Sequence, residues 1–333
     1  MSLPDSLRGS LRLPVVGAPL FIISNPVMVI EQCTAGIIGS FPALNARPAP
    51  VLEQWLQQIT SALAQCRAAN PDRVIAPFAV NQIVHSSNDR LAHDVELCRK
   101  YQVPIQITSL RAPDEVVPVA HSYGGLVFHD VTNVKHARRA IQAGVDGLIL
   151  VCAGAGGHAG TLSPFALVSE VREFYDGPIL LSGAIANGAS ILAAQAIGAD
   201  LAYMGTRFIA SKEANAPEAY KQAIVDSAAN DIVYTSLFTG IHGNYLRSSI
   251  VQAGLDPDNL AESDKSRMNF GSNRVKAWRD IWGSGQSCAL VKDIPSVGAL
   301  VSRLEEEYRA ARERLDQRTK PHDGTSETSF TEP

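Results

Sequence analysis

Charge, aromatic side chains and cysteine are all scarce in this chain of 333 residues, and each scarcity excludes something. Charged residues make up 19%, below the roughly 25% usual in soluble domains. With 33 acidic against 29 basic side chains the net charge is −4, which leaves no basic footprint for nucleic acid. Aromatic residues are only 6% while hydrophobic residues reach 46%. The core is therefore large and aliphatic, and disorder, collagen-like repeats and coiled coils are excluded. The five cysteines (Cys33, Cys66, Cys98, Cys152, Cys288) are odd in number and scattered, with no CxxC pair. That pattern fits neither a disulfide framework nor a structural zinc site, and it points to a reducing cytoplasm. There is no Walker A loop, no HExxH or comparable metal-ligand spacing, and no carboxylate pair suited to glycoside hydrolysis. An N-terminal apolar run, 13–23, follows Arg8 and Arg12. Two prolines interrupt it, no small-x-small cleavage site follows it, and it is too short for a membrane span, so it reads as a buried strand.

What the chain does have is alternation. Short β-rich apolar runs at 15–20, 37–41, 76–82, 104–109, 125–130, 146–152, 178–183 and 201–206 predict strands. Amphipathic stretches at 27–35, 51–66, 91–101, 114–122, 134–143, 163–175, 187–197 and 217–227 predict the intervening helices. The strands are continuously apolar, as when both faces are covered. Eight such units match a (β/α)8 TIM barrel; an open doubly wound sheet would also alternate, but the strand count and the glycines favour the barrel. Gly144-Val-Asp146, Tyr175-Asp-Gly177 and Gly198-Ala-Asp200 each precede a strand, with glycine expected to end a helix in the left-handed region. The organisation expected is a barrel core over 12–227, a C-terminal excursion with a terminal amphipathic helix (297–315) over 228–317, and a disordered tail over 318–333.

In such a barrel, chemistry sits where strands end. The ends of the last two strands, Ser182-Gly183-Ala184 and Gly205-Thr206, stand where barrels of this kind hold phosphate, glycine letting backbone amides approach the anion. The plainer reading is that Gly183 and Gly205 only fit tight turns. His158 lies in the glycine-dense loop Gly154-Ala-Gly-Gly-His-Ala-Gly160, where a flexible backbone can wrap a ligand, and is the leading catalytic candidate as base or hydrogen-bond donor. His129 ends a strand and reads as structural; His242 sits in the excursion and is left open. Cys152 reads as an inert core thiol. The loop misses GxGxxG because Ala159 stands where glycine is needed.

These segments carry a resemblance. Gly-Gly-His158-Ala-Gly160, Leu-Ser182-Gly183-Ala-Ile, Gly-Ala-Asp200-Leu-Ala-Tyr-Met-Gly205-Thr206-Arg-Phe and Ile-Trp282-Gly-Ser-Gly-Gln286 are similar to the nitronate monooxygenase family over roughly residues 12–315. The resemblance implies a TIM barrel binding FMN non-covalently, its phosphate held at Ser182-Gly183 and Gly205-Thr206. His158 would face the flavin, Ala18, Pro19 and Leu20 would pass along its ring, Asn81 would bond the ring, Gly156 and Gly157 would line it, and Gln286 would close the site. Ala18-Pro19-Leu20 departs from the more usual glycines, Asp130 stands where some relatives have lysine, and Ala184 where a second glycine is common. The implied reaction is oxidation of an alkyl nitronate, or a nitroalkane, by dioxygen to a carbonyl product and nitrite, with no metal, nucleic-acid or membrane partner. An NAD(P)H-dependent FMN reductase of quinones or enoyl thioesters is the alternative on the same scaffold, and a flavin-binding barrel without chemistry is the third. The charged terminal helix is open to packing on the barrel or on a partner, so a homodimer stays open.

Overall fold

The apolar runs form a ring. In the computed structural model, which describes residues 3–263 and 280–319, the chain opens with strands β1 (Val15–Gly17), β2 (Gly39–Pro42), β3 (Phe78–Val84), β4 (Ile105–Leu110), β5 (Leu126–Val131) and β6 (Gly147–Val151). A two-residue strand, β7 (Gly157–His158), belongs to a different sheet; β8 (Ile179–Ser182) and β9 (Leu201–Met204) complete the ring. All neighbours in the ring are parallel. β9 pairs with β1, and a parallel bridge from Val16 to Ile38 brings β1 to β2, so the eight-stranded sheet closes as a TIM barrel. The helices between strands are α1 (Pro26–Thr34), α2 (Val51–Ala69), α3 (Leu91–Lys100), α4 (Val117–His121), α5 (Val134–Gln142), α6 (Pro164–Arg172) and α7 (Gly188–Ala196), followed by α8 (Thr206–Ile209) and α9 (Glu218–Asp226).

Two-residue periodicity sorts the strand residues. Val15, Ile37, Leu148, Leu150, Ile179, Leu181, Ala202 and Met204 point outward into the layer shared with the helices. Val16, Ile38, Ala79, Ile105, Ile107, Phe128, Ile149, Leu180 and Leu201 fill the inside, joined by Leu7 from the turn before β1. Each fully buried aliphatic side chain contributes about 1.5–3 kcal/mol, so two covered faces make every strand position count.

The punctuation works in two of three units. Gly144 (φ 83°) and Gly198 (φ 109°) are left-handed, as expected, but Gly177 is not. In the first and third units the aspartate that follows ties down the neighbouring strand. Asp146 accepts from Val127 N–H at 2.7 Å, and Asp200 accepts from Ile179 N–H at 2.9 Å. Asp200 also receives Arg172 at 2.7 Å, a guanidinium that caps Gly177 and Gly198 carbonyls as well. The last barrel strand ends earlier than expected: Gly205 breaks it, and Thr206 opens α8 instead of closing the strand.

Past α9 the excursion contains order that alternation does not announce. β10 (Ile232–Thr235) and β11 (Gly243–Leu246) form an antiparallel hairpin, β11 also pairs with β7, and α10 (Arg247–Gln252) follows. The expected polar stretch 256–273 and the return 277–286 lie partly outside the described residues, as does the tail from 320 onward. Helix α11 (Val297–Thr319) runs past its expected end and buries Val297, Leu300, Val301, Leu304 and Ala311, one stripe at helical spacing. It lies on the barrel: Glu305 pairs with Arg12, Tyr308 donates to Gln195, and Glu307 accepts from Gly188 N–H at 2.9 Å. Among the described residues no helix is long and apolar enough to cross a membrane.

Gly188 marks a close approach of α7 and α11. A Cβ there would lie 2.0 Å from Tyr308 N and 2.4 Å from Glu307 C, both backbone. Gly188→Val is expected to cost about 1–3 kcal/mol by overpacking, read as a lower midpoint in urea unfolding; an unchanged midpoint would show that α11 contributes nothing to barrel stability.

Candidate functional site

The inward positions that are apolar inside the barrel turn polar one step further along. Ala79 is followed by Asn81, Ile107 by Ser109, Phe128 by Asp130, Leu180 by Ser182 and Leu201 by Tyr203. These five residues line a cavity of about 800 Å³ at the C-terminal ends of the strands, within the size range of ligand pockets. The same parity explains what is not there. Thr108 and His129 fall on the outward face and bond each other at 2.8 Å; His129 is buried, and burial pushes its imidazole down to about 4. Cys152 is outward too, its thiol pushed up to about 12 by burial.

Loops complete the walls. Ala18, Pro19 and Leu20 line the cavity after β1, held by Asn45, whose amide donates to Leu20 O and Ser24 O at 2.9 Å each. Gly156, Gly157 and His158 line it after β6, Ser182 and Gly183 after β8, and Gly205 and Thr206 after β9. Of the residues singled out by sequence, Gln286 stands apart: its N–H bonds Gly154 O at 3.0 Å, its side chain is exposed, and Gly283 and Ser287 line the cavity from that segment instead. Thr206 Oγ1 accepts from Gly285 N–H at 2.8 Å, so the C-terminal segment reaches the site through the backbone. Gly183 has φ 146°, and Ala184 sits at φ 54°, where glycine would be unstrained and alanine costs roughly 1–2 kcal/mol.

The glycine-dense loop is pinned rather than free. Gly157 and His158 form β7, paired with Asn244 and Gly243 of β11. Asn244 donates to Ala155 O at 2.6 Å, Tyr234 to Ala159 O at 3.0 Å, and Gly160 N–H to Val151 O at 3.2 Å. Glycine is needed because backbones touch: a Cβ on Gly156 would lie 2.7 Å from Gly285 N, and one on Gly243 2.7 Å from Gly157 O. His158 is thereby held with Nε2 2.9 Å from Thr239 Oγ1, whose own hydroxyl donates to Ile241 O at 3.0 Å. Nε2 is thus the anchored nitrogen of the ring. Burial pushes the imidazole down to about 4, so it is neutral at physiological pH.

The excursion brings residues that sequence did not single out. Tyr234 and His242 stack at 5.0 Å between ring centres and line the cavity with Ile241. The available signal was Ile232-Val-Tyr-Thr235, four strand-formers followed by a glycine-bearing loop. Deeper in, Asn81 Nδ2 donates to Ser109 Oγ at 2.9 Å, and Ser109 donates to Asp130 Oδ2 at 2.6 Å. Burial pushes the Asp130 carboxyl up to about 7. Arg207, next to Thr206, is turned away: it is buried against Asp293 at 2.9 Å and the Ala210 carbonyl. Among the described residues, no group of three His, Cys, Asp or Glu is placed to hold a metal ion.

His129 and His158 both have folded-state values near 4, against about 6.5 in the unfolded chain. Their contribution is complete above about pH 6.5 and is lost as pH falls toward 4, because the unfolded chain then binds protons that the folded one refuses. His129→Asn is expected to flatten the dependence of melting temperature on pH across that window; parallel curves for variant and parent would refute the assignment.

With this geometry in hand, comparison with known proteins is informative. A family model for nitronate monooxygenase matches residues 47–307. The nitronate monooxygenase of Paraburkholderia phytofirmans is 25% identical, with 91% of this chain and 94% of that protein covered. The (3aS,4S,5R,7aS)-5-hydroxy-7a-methyl-1-oxo-octahydro-1H-indene-4-carboxyl-CoA dehydrogenase of Mycobacterium tuberculosis is 24% identical, with 82% and 74% covered. Among solved structures, nitroalkane oxidase from Streptomyces ansochromogenes shares the fold with a TM-score of 0.78 at 22% identity, covering 93% of this chain and all of that one. The family match spans well over half of the residues, running from just after β2 through β9 and the excursion into α11, and on that ground the chain belongs to the nitronate monooxygenase family of oxidoreductases.

Proposed function

We propose that this protein oxidises alkyl nitronates with dioxygen, using non-covalently bound FMN, and yields a carbonyl compound and nitrite. The observation that carries this reading is that one cavity of about 800 Å³ is bounded both by the glycine-bearing ends of β8 and β9 and by His158. Those ends suit a phosphate. A Cβ on Gly205 would project toward Leu20 at 3.4 Å and Ala18 at 3.7 Å, both cavity walls, so the absent side chain leaves room for the group. Among the described residues lining the cavity there is no lysine or arginine, which leaves backbone amides to hold the anion. Ser182, Gly183, Gly205 and Thr206 would carry the phosphate, Ala18–Leu20 the ring's edge, and Asn81 its polar end.

When bound, FMN supplies the electron transfer from nitronate to dioxygen. The chain's own part is to orient the substrate, exclude water and place a base. A nitronate arrives already deprotonated and asks nothing of His158 beyond position. A neutral nitroalkane must lose its α-proton, and the imidazole of His158, anchored through Nε2 on Thr239, is the group that would take it. The unpaired, mostly buried cysteines support a reducing cytoplasm as its setting.

Two measurements test this. The purified protein should show flavin absorption that responds anaerobically to propionate 3-nitronate and ignores NADPH. Bleaching by NADPH alone would move the assignment to a reductase, and absence of flavin after reconstitution with FMN would overturn the phosphate site. His158→Asn should lower nitroalkane turnover by about 10²–10⁴-fold, the usual worth of a general base, and spare nitronate turnover. Equal loss of both activities would sink the role of base.

A further inference from the structure

The polar end of the cavity contains a chain of hydrogen bonds with a fixed direction. Asn81 donates its amide protons to Ser109 Oγ (2.9 Å) and Ile107 O (3.3 Å). Ser109 in turn donates its hydroxyl proton to Asp130 Oδ2 (2.6 Å). What the chain leaves over is the carbonyl oxygen of Asn81 at one end and Oδ1 of Asp130 at the other. Oδ1 is buried and has no hydrogen-bond partner among the described residues. An ionised carboxylate in that position would hold its charge on a single side-chain bond with no cation beside it, since no lysine or arginine is among the described residues lining the cavity. The neutral acid avoids the charge, and its proton has one place to go, because Oδ2 already accepts from Ser109.

We propose that Asp130 serves the cavity as a neutral carboxylic acid, a hydrogen-bond donor that, with the acceptor Asn81, reads the imide edge of the flavin ring. The inference rests on the FMN reading above. An imide edge offers carbonyl acceptors beside an N–H donor, and the Asn81–Ser109–Asp130 array offers an acceptor and a donor held at a set spacing by the serine. The terminal torsion of aspartate is soft, so a small rotation turns the proton-bearing oxygen into the cavity. Asp130 thus supplies by a proton what a basic residue would supply by charge.

The surroundings agree. The barrel-strand residues that line the cavity with Asp130 include Asn81 on β3, Ser109 on β4, Val151 on β6 and Tyr203 on β9. Tyr203 is the titratable one among them, and burial holds its phenol well above its ordinary value, so it stays neutral. His158 is a neutral ring at the same pH, and His136, at the start of α5, lies against Thr132 and Asn133. Desolvation moves the Asp130 carboxyl in the direction of the neutral form, with the Ser109 bond opposing it.

The test is FMN binding to the apoprotein followed by fluorescence quenching across pH, in the parent and in Asp130→Asn. The asparagine keeps an acceptor for Ser109 and a donor for the ring but cannot ionise. The parent should lose affinity about 30-fold between about pH 6 and about pH 8.5, tenfold per unit once the free acid ionises near 7. Asp130→Asn should stay tight across the range. Ionisation of the FMN phosphate is common to both proteins, so the difference between the two profiles reports Asp130. A second readout needs no ligand: the parent apoprotein at about pH 6 should show an infrared carbonyl band of a protonated carboxyl that is missing from Asp130→Asn. Coincident binding profiles, or absence of that band, would overturn the proposal while leaving the FMN reading intact. Failure to bind FMN at any pH would overturn both.

Discussion

Everything at this site follows from a parity constraint. A barrel strand buried on both faces has two sets of side chains, and the set that points inward must serve as core lower down and as binding surface at the top. The transition takes one step of two residues: Phe128 packs the interior and Asp130 lines the cavity, Ile107 packs and Ser109 lines, Ala79 packs and Asn81 lines. Because neighbouring strands are in parallel register, these polar residues arrive side by side. The Asn81–Ser109–Asp130 array is a consequence of register more than of any local motif: Asn81 pairs with Ile107 and Ile83 with Ser109 across β3 and β4. A slip of one residue would turn Thr108 and His129 inward in their place.

The barrel supplies the floor, and the C-terminal excursion controls the placement of His158. A loop of four glycines in seven residues would have wide freedom alone. Here it is stitched into an antiparallel sheet with β11 and braced by Gly285 and Asn244, so His158 is anchored through Nε2. Glycine at 156, 243 and 285 serves close backbone approach rather than mobility, since a Cβ on any of them would meet backbone within 3 Å. Residues from segments about 80 positions apart thereby act on one imidazole, as the Thr239–His158 bond illustrates.

This also decides what could be read from the chain beforehand. The barrel was legible because its signal is periodic and repeated: apolar runs, helix stripes, and glycine-aspartate punctuation in which Asp146 and Asp200 have the same job. The cavity-lining addresses of Ser182, Gly183, Gly205 and Thr206 were legible for the same reason, since they follow from the strand count, whereas Asn81 entered through the family resemblance. The hairpin of β10 and β11 was not, because two four-residue strands carry little periodicity and pair with a loop far away in sequence. Gln286 was placed by motif, and a motif does not say which of Ser287, Gly283 or Gln286 turns toward the cavity. Gly177 looked like its two counterparts, yet Arg172 caps that turn through its carbonyl and the backbone needs no left-handed residue there.

The electrostatics of the cavity are consistent from end to end. A phosphate held at the proposed end, where no lysine or arginine is among the described lining residues, would draw on peptide dipoles, and the neighbouring Arg207 is committed to Asp293, where it fastens α8 to the segment leading into α11. At the opposite pole the Asp130 carboxyl is disfavoured as an anion, and the imidazole of His158 is disfavoured as a cation. Desolvation thus works against a fixed charge on either of these two groups. In a low-dielectric pocket that matters, because an unpaired fixed charge would interact strongly with any charge that develops on a bound ring or substrate. Neutral donors and acceptors, by contrast, select by hydrogen-bond pattern, which is how Asn81 and Asp130, on strands away from the glycine cradle, would take part in recognising the bound molecule proposed above.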